Sequence, residues 1–409
     1  MIGFFRVRSR QEVVAELQRF SPMGQEEVGL CNGLGRVLSR PVRANEDLPQ
    51  FLRATMDGFA VQARDTFGAS DAQPALLRLV GEVRMGEPAC RAIGSSQAVR
   101  VATGGMLPEG ADAVVMIEHA ELLDSETLEV YKSVAPWENV VRPGEDVAAG
   151  QEVLPTGWTL RPQDLGLLGA LGATRLWVYR KPTIAVFSTG DEVVPIDRQP
   201  GPGQVRDVNG VSVCAWVTLE GGTALPMGII PDRLEQLSKG FAEALQAADA
   251  LIVSGGSSVG TRDFLTEALQ KMEGAQVLAH GLAVRPGKPT LVAEICGKPF
   301  LGLPGHPVSA LVILHLLGRP LLDRLCGRVY PHRPRPFRAR LTRNLASAQG
   351  REDYVRVVVE EKQGELWARP LLGSSGLIGN LSRAEGLVKI DPLCEGLYSG
   401  EWVEVESFP

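Results

Sequence analysis

The chain has 409 residues, with 42 basic and 48 acidic side chains and a formal net charge of −6. At roughly 150 residues per domain this length implies several domains, and 44% hydrophobic with 22% charged residues is an ordinary globular balance. The acidic excess argues against a nucleic-acid partner held by overall charge, and six dispersed cysteines without C-x-x-C spacing disfavour a paired-cysteine zinc site or a disulfide scaffold.

The opening MIGFFRVRSRQE lacks the apolar core of a signal peptide. Arg8 to Leu38 is expected to be largely helical, because Val13, Val14, Leu17 and Phe20 share one helical face. From about Glu46 to Glu138, runs such as LLRLVGEV and AVVMIEHA alternate with Gly, Pro and Asp, which predicts a β-rich domain. The patch VVRPGEDVAAGQEVLPTGWTLRP reads as a linker, and Gln163 to Leu171 as a short helix. From Lys181 the pattern becomes strand, turn, helix. TIAVFSTG, DALIVSGGSS and PFLGLPGHP each end an apolar run in glycine, and the last two precede helix-like segments. That predicts a mainly parallel three-layer α/β domain with all three turns on the ligand-binding edge. GRVYPHRPRPF reads as a second linker. The tail (YVRVVVEE, ELWARPLL, GLVKI, EWVEVE) predicts a small β-barrel or sandwich. The apolar run near Ala310 to Leu317 is broken by His315 and is too short to span a bilayer. No membrane association is expected, and a cytoplasmic protein is the default.

Three glycine-rich turns could carry chemistry. Ser254-Gly255-Gly256-Ser257-Ser258 reads equally as a phosphate cradle or as a tight strand-to-helix turn. Thr189-Gly190 and Pro304-Gly305 are weaker signals of the same kind. Glu192, Asp207, Asp232 and Asp263 fall at the same predicted sheet edge. Singly each is better read as structural, Asp232 and Asp263 as acids favoured at helix starts. Together they make a donor set for a hard divalent cation such as Mg²⁺. Arg285 and Lys288, held between prolines and a glycine, are either an oxyanion clamp or a solvated loop. His306 reads as a cap or packing residue before a ligand. Arg328, Arg333, Arg335, Arg338, Arg340 and Arg343, with His332, read as a solvated linker and strand edge.

Taken together, these stretches resemble the molybdopterin molybdenumtransferase family, the molybdenum insertases that include the E domain of gephyrin. The likeness rests on ATMDGFAV (54–61), RVATGGMLPEGADAVVMIE (100–118), RPGEDVAAGQEVLPTG (142–157), FSTGDEVVP (187–195), VRDVNG (205–210), SGGSSVGTRDF (254–264), VRPGKPT (284–290), LPGHPVSA (303–310) and REDYVRV (351–357). All nine stand in the family's order and together span nearly the whole chain.

The resemblance implies a multi-domain α/β fold: an elongated, discontinuous helical domain (1–45 and 140–180), an inserted β domain (46–139), an α/β molybdopterin-binding domain (181–327) and a C-terminal β-barrel-like domain (328–409). It implies a transferase that inserts molybdate into adenylylated molybdopterin with Mg²⁺-dependent release of AMP. Glu192, Asp232 and Asp263 would hold the metal, with Asp207 also catalytic. Thr189, Gly190, Ser254, Gly255, Gly256, Ser257, Ser258, Pro304, Gly305 and His306 would line the pterin site, and Arg285 and Lys288 would receive the oxyanion. Asp57 and Thr103 would complete the cleft from the β domain, Asp57 by reaching the partner subunit of a homodimer. Protein partners implied are the molybdopterin adenylyltransferase and the recipient molybdoenzymes. Arg285, His306, Gly210, Phe59 and Ala54 depart from residues common in the family, and tungstate is not distinguished from molybdate. Other readings are a non-catalytic pterin carrier, a scaffold, and an enzyme acting on another nucleotide.

Overall fold

The segment Thr-Ile-Ala-Val-Phe-Ser-Thr has no polar face, so as a strand it must be covered on both sides. The computed structural model describes residues 7–255, 264–331 and 333–408, and in it this segment is the strand Thr183–Thr189. It lies inside a six-stranded sheet, paired in parallel with Thr223–Ile230 and Ala250–Ser254. Ala250–Ser254 pairs in parallel with Lys298–Leu303, and Leu291–Ile295 and Ala275–His280 finish the sheet in antiparallel fashion. The expected mainly parallel sheet is therefore mixed, with a parallel half that carries the three glycine turns and an antiparallel edge.

Side chains alternate along these strands and feed two cores. Ile184, Val186, Ile252 and Leu301 pack with Val213, Trp216 and Val217 of the helix Val208–Leu219 and with Val308 and Val312 of Pro307–Ile313. Ala185, Phe187, Leu251, Val253 and Phe300 pack on the other side with Leu237, Phe241 and Ala244 of Leu234–Ala247 and with Leu265 and Leu269 of Phe264–Gln270. Phe241 meets Phe187 and Phe300 edge-on, with ring centroids 5.9 and 5.3 Å apart. Helices thus cover both faces of the sheet, which is the three-layer arrangement.

The tail closes on itself. Glu352–Lys362 pairs with Glu365–Pro370 and with Gly386–Ile390, while Phe337–Leu341 and Trp402–Ser407 complete a five-stranded barrel. Its interior is filled by Ala339, Leu341, Val357, Ala368, Val388 and Val405. The α/β domain adds one short strand to this barrel: Val284–Arg285 pairs in parallel with Glu352 and Asp353.

By contacts the chain divides into two compact units, Arg40–Thr156 with Pro162–Thr174, and the remainder. The smaller unit contains a six-stranded sheet in the order Ala113–Met116, Gly58–Val61, Gln97–Val101, Ala75–Val83, Thr127–Val130, Ala120–Leu122.

Two expectations are corrected. The helix expected across Arg8 to Leu38 spans only Arg10–Leu17, opened by a Ser9–Glu12 capping box. Pro22 and Gly24 interrupt it, and the chain continues as the strand Gln25–Gly29, paired antiparallel with Arg175–Tyr179. Among the described residues, the two segments expected to form a helical domain carry the α-helices Arg10–Leu17 and Pro162–Ala170 and the 3-10 turn Leu30–Asn32, and are joined by strand pairs. The basic run after Cys326 is also not uniformly solvated. Arg328 donates to Asp323 at 2.7 Å, and Arg333 bridges Asp323 and Glu220 at 2.8 and 3.0 Å. His332 lies outside the described residues.

Truncating Phe241, which is fully buried between two rings, removes a large core volume. The Phe241→Ala chain should lose about 3–5 kcal/mol of stability in chemical denaturation; a loss below about 1 kcal/mol would show that this core is not packed as described.

Candidate functional site

Parallel strand pairing decides where the chemistry lies. Thr183–Thr189, Ala250–Ser254 and Lys298–Leu303 run the same way, so their following turns gather at one edge. The contacts there are close. A Cβ on Gly255 would fall 2.0 Å from the Thr189 carbonyl oxygen, and its φ of +105° belongs to the region glycine favours. A Cβ on Gly305 would lie 3.7 Å from Gly255 Cα. Asn209 ties the turns together: its Nδ2 donates to Ser254 Oγ at 2.6 Å and to the Gly305 carbonyl at 2.8 Å. The buried Asn209 Oδ1 meets no donor among the described residues. Thr189, Gly190, Ser254, Gly255, Pro304 and Gly305 are therefore brought together. Gly256, Ser257, Ser258 and Asp263 lie outside the described residues.

The acidic residues divide by environment. Asp207 is the N-cap of Val208–Leu219; its Oδ1 accepts from the Gly210 N–H at 2.8 Å and from Ser188 Oγ at 2.7 Å. Asp232 accepts from the Thr189 hydroxyl. Burial pushes the Asp232 carboxyl above the usual aspartate range, and the neighbouring negative charges of Asp191 and Glu192 push it further, against that hydrogen bond. Glu192 itself is exposed and curls back so that its carboxylate sits 2.9 Å from where a Gly190 Cβ would be. A half-buried carboxylate crowded by like charge would be relieved by a hard divalent cation, although the described residues bring no three such ligands together.

Next to this edge a cavity of about 940 Å³ opens between the α/β domain and the barrel, lined by Arg285, Lys288, Pro304, His306, Arg343, Arg351, Arg356 and Ser374 among others. Arg285 and Lys288 are exposed at its mouth. The parallel pairing of Arg285 with Asp353 fixes the loop, and Asp353, 4% exposed, holds Arg285 at 3.5 Å and Arg351 at 3.0 Å. His306 is the N-cap residue of Pro307–Ile313 but caps through no side-chain bond; its Nδ1 pairs with Ser375 Oγ at 2.9 Å. The Val308 N–H also donates to the Ser375 carbonyl, so a barrel loop is fastened to the helix start.

Arg356 is the unexpected member. It is only 7% exposed, and its Nη2 makes just two long contacts to carbonyls, Leu371 at 3.3 Å and Gly373 at 3.4 Å. Nη1 meets no acceptor among the described residues. Burial holds its pKa below the ordinary arginine value. A buried guanidinium without a carboxylate is costly, and an anion in the cavity is the natural compensation. Sequence reasoning passed over Arg356, Asp353 and Asn209, although all three stand inside the quoted REDYVRV and VRDVNG stretches.

In the smaller unit, Asp57 and Thr103 form one exposed pair. The Thr103 N–H and Oγ donate to Asp57 Oδ1 at 2.6 and 2.9 Å. Those bonds, the backbone one foremost, hold the Asp57 carboxyl below its ordinary pKa.

Comparison with known proteins covers nearly the whole chain. Residues 8–172 match the MoeA N-terminal region (domain I and II), 185–324 a probable molybdopterin binding domain, and 338–408 the MoeA C-terminal region (domain IV). The chain is 34% identical over 391 residues to a molybdopterin molybdenumtransferase of Haemophilus influenzae, covering 95% of both chains. It is 32% identical to that of Bacillus subtilis, over 96% of this chain and 92% of the other. Two crystal structures of molybdopterin biosynthesis MoeA proteins from Pyrococcus horikoshii superpose with TM-scores of 0.81 and 0.85, at 36% and 27% identity. They cover 99% and 98% of this chain and all of the other.

The raised Asp232 pKa gives a signed prediction. A carboxyl whose folded pKa exceeds its unfolded value binds more protons when folded, so it lowers stability as pH rises through that range. Asp232→Asn keeps an acceptor for Thr189 and removes the charge. Its metal-free unfolding midpoint should exceed that of the wild type at pH 8, and the gap should close at pH 3. A lower midpoint at pH 8 would contradict the crowded-carboxylate reading.

Proposed function

Since the chain belongs to the molybdopterin molybdenumtransferase family, a transferase family of molybdenum cofactor biosynthesis, we propose that it inserts molybdate into adenylylated molybdopterin and releases AMP. The observation that carries this reading is Arg356: a buried guanidinium with an unpaired Nη1, lining a cavity that Arg285 and Lys288 also face. A compact dianion suits that arrangement, since it is the missing acceptor and offsets the cost of burying the charge.

In this reading the pterin phosphate rests on the turns at the parallel sheet edge. Backbone N–H groups there can approach an anion closely because Gly255 and Gly305 carry no side chain. Asn209 fixes the spacing of two of those turns, and Asp207 holds the start of the adjoining helix. The molybdate enters the neighbouring cavity and is received by Arg285, Lys288 and Arg356. Asp353 keeps Arg285 from swinging free, and the His306–Ser375 bond keeps the barrel loop over the cavity mouth. Glu192 and Asp232, with Asp263, are the residues that would hold Mg²⁺. Such a cation supplies charge neutralisation on the phosphoryl group as the adenylate is cleaved. Asp57 and Thr103 complete the cleft from the partner subunit of a homodimer. The molybdopterin adenylyltransferase and the recipient molybdoenzymes are the protein partners that such an activity implies.

Among the described residues, no helix is long and apolar enough to cross a membrane. A pterin carrier without chemistry is the second reading. The crowded carboxylates count against it, because a passive carrier gains nothing from like charges held together.

Two measurements test these assignments. Molybdate binding, followed by calorimetry, should weaken by about 10- to 100-fold in Arg356→Gln, the range expected for one charge-assisted hydrogen-bonding group; unchanged affinity would remove Arg356 from the oxyanion site. Mg²⁺ should raise the thermal midpoint of the wild-type chain and leave that of Asp232→Asn unmoved. An equal rise in both would place the cation elsewhere.

A further inference from the structure

A second cavity, of about 770 Å³, lies away from the glycine turns and the oxyanion residues. It is bounded by the start of the first helix at Arg10, the Leu34-Gly35 turn, the end of Val208–Leu219, the π-helical turn Leu314–Gly318 and the proline-rich segment after Arg328. Five cationic side chains line it, Arg10, Lys181, Arg319, Arg328 and Arg333, against two carboxylates, Glu220 and Glu406.

Three of those cations form a buried ladder with two acids. Glu220, 7% exposed, accepts from Arg319 Nε at 2.6 Å and Arg333 Nη2 at 3.0 Å. Asp323 accepts from Arg328 and from both terminal nitrogens of Arg333. Burial alone would raise the Glu220 pKa, but the two guanidiniums overcome it and hold the carboxyl below its ordinary value. Glu220 is held in its charged form, and three guanidiniums converge on the two carboxylates. The Arg328 side chain is 9% exposed, and its Nε meets no acceptor among the described residues.

The nearby histidine bridges the ladder to Glu406. Arg319 Nη1 lies 2.8 Å from His315 Nδ1, and arginine can only donate, so Nδ1 accepts. His315 therefore carries its proton on Nε2 and donates it to Glu406 at 3.0 Å. The ladder sets three guanidiniums against two carboxylates; with Arg10, Lys181 and Glu406 added, five cations face three carboxylates around the cavity, and Arg10 also pairs with Glu352 at 3.3 Å. Apolar groups share the lining: Leu34 and Leu219 are 59% and 67% exposed, and Pro320, Pro331, Pro334 and Pro336 also line the cavity.

We propose that this cavity is a binding site for a small phosphate-bearing metabolite. Its phosphate sits on Arg319, Arg328 and Arg333, and its apolar body lies against Leu34, Leu219 and the prolines. The phosphate supplies the anion the ladder lacks, and the volume falls within the range of small-molecule sites.

The test is calorimetry on the full chain carrying Lys288→Gln, which weakens oxyanion binding in the other cavity, with inorganic phosphate and phenyl phosphate as probes. Both should show a binding step that depends on Arg333, with phenyl phosphate about tenfold tighter at that step because its ring reaches the apolar lining. Arg333→Gln, added to that chain, should weaken phenyl phosphate at least tenfold. Lys181→Gln, at the rim and outside the ladder, should weaken it about threefold and serves where Arg333→Gln disturbs folding, as judged by circular dichroism. No binding to the Lys288→Gln chain, or binding indifferent to both substitutions, would overturn the proposal. Phenyl phosphate binding no tighter than phosphate would overturn the apolar half of it.

Discussion

A buried positive charge that meets no carboxylate among the described residues organises the cavity beside the barrel. Arg356 sits in a barrel strand, 7% exposed, with two long carbonyl contacts and an unpaired Nη1. A buried guanidinium without a carboxylate is costly, and an anion bound in the proposed reading would offset that cost. The parallel addition of Val284–Arg285 to that same strand places Arg285 at the same cavity. Asp353, one strand position from that pairing's start, then neutralises the exposed arginines and leaves the buried one uncompensated. The pattern separates the charges that position the loop from the charge that waits for ligand.

The sheet edge works by a different constraint. Three parallel strands deliver three turns to one place, and glycine at 255 is required because any side chain there would strike the Thr189 carbonyl. Close backbone approach would leave N–H groups, not side chains, as the main contacts of a phosphate bound there in the proposed reading. The carboxylates beside them are crowded rather than paired, which explains the direction of the Asp232 shift and gives a divalent cation something to neutralise. A pterin phosphate at the edge and an oxyanion in the cavity would then be neighbours, held by two domains that share a strand pairing.

Much of this was legible in the sequence for physical reasons. Strands without a polar face, such as Thr183–Thr189, must be central, and the glycines that follow mark the ligand edge. The alternating tail reads directly as barrel strands. Other features depend on partners far away in the chain. Arg356 alternates with valines in a strand and looks like one more solvent-facing charge; the valines beside it fill the barrel, and the Leu371–Gly373 segment covers it on the other face. Asn209 reads as a helix-start residue until the fold brings Ser254 and Gly305 to its amide. Arg328 and Arg333 looked solvated because Glu220, their partner, lies more than a hundred residues earlier. Val13, Leu17 and Phe20 are all buried and suggest a longer helix than Arg10–Leu17, whose C-cap is Gln18, and Pro22 and Gly24 keep the chain from resuming it.

The most direct measurement is a single-turnover reaction of the purified chain with adenylylated molybdopterin, Mg²⁺ and molybdate, following AMP released and molybdenum retained on the pterin. The account predicts that AMP release and molybdenum retention proceed together, one for one. Tight binding of the adenylylated pterin without AMP release would contradict it and leave a carrier in place of an insertase.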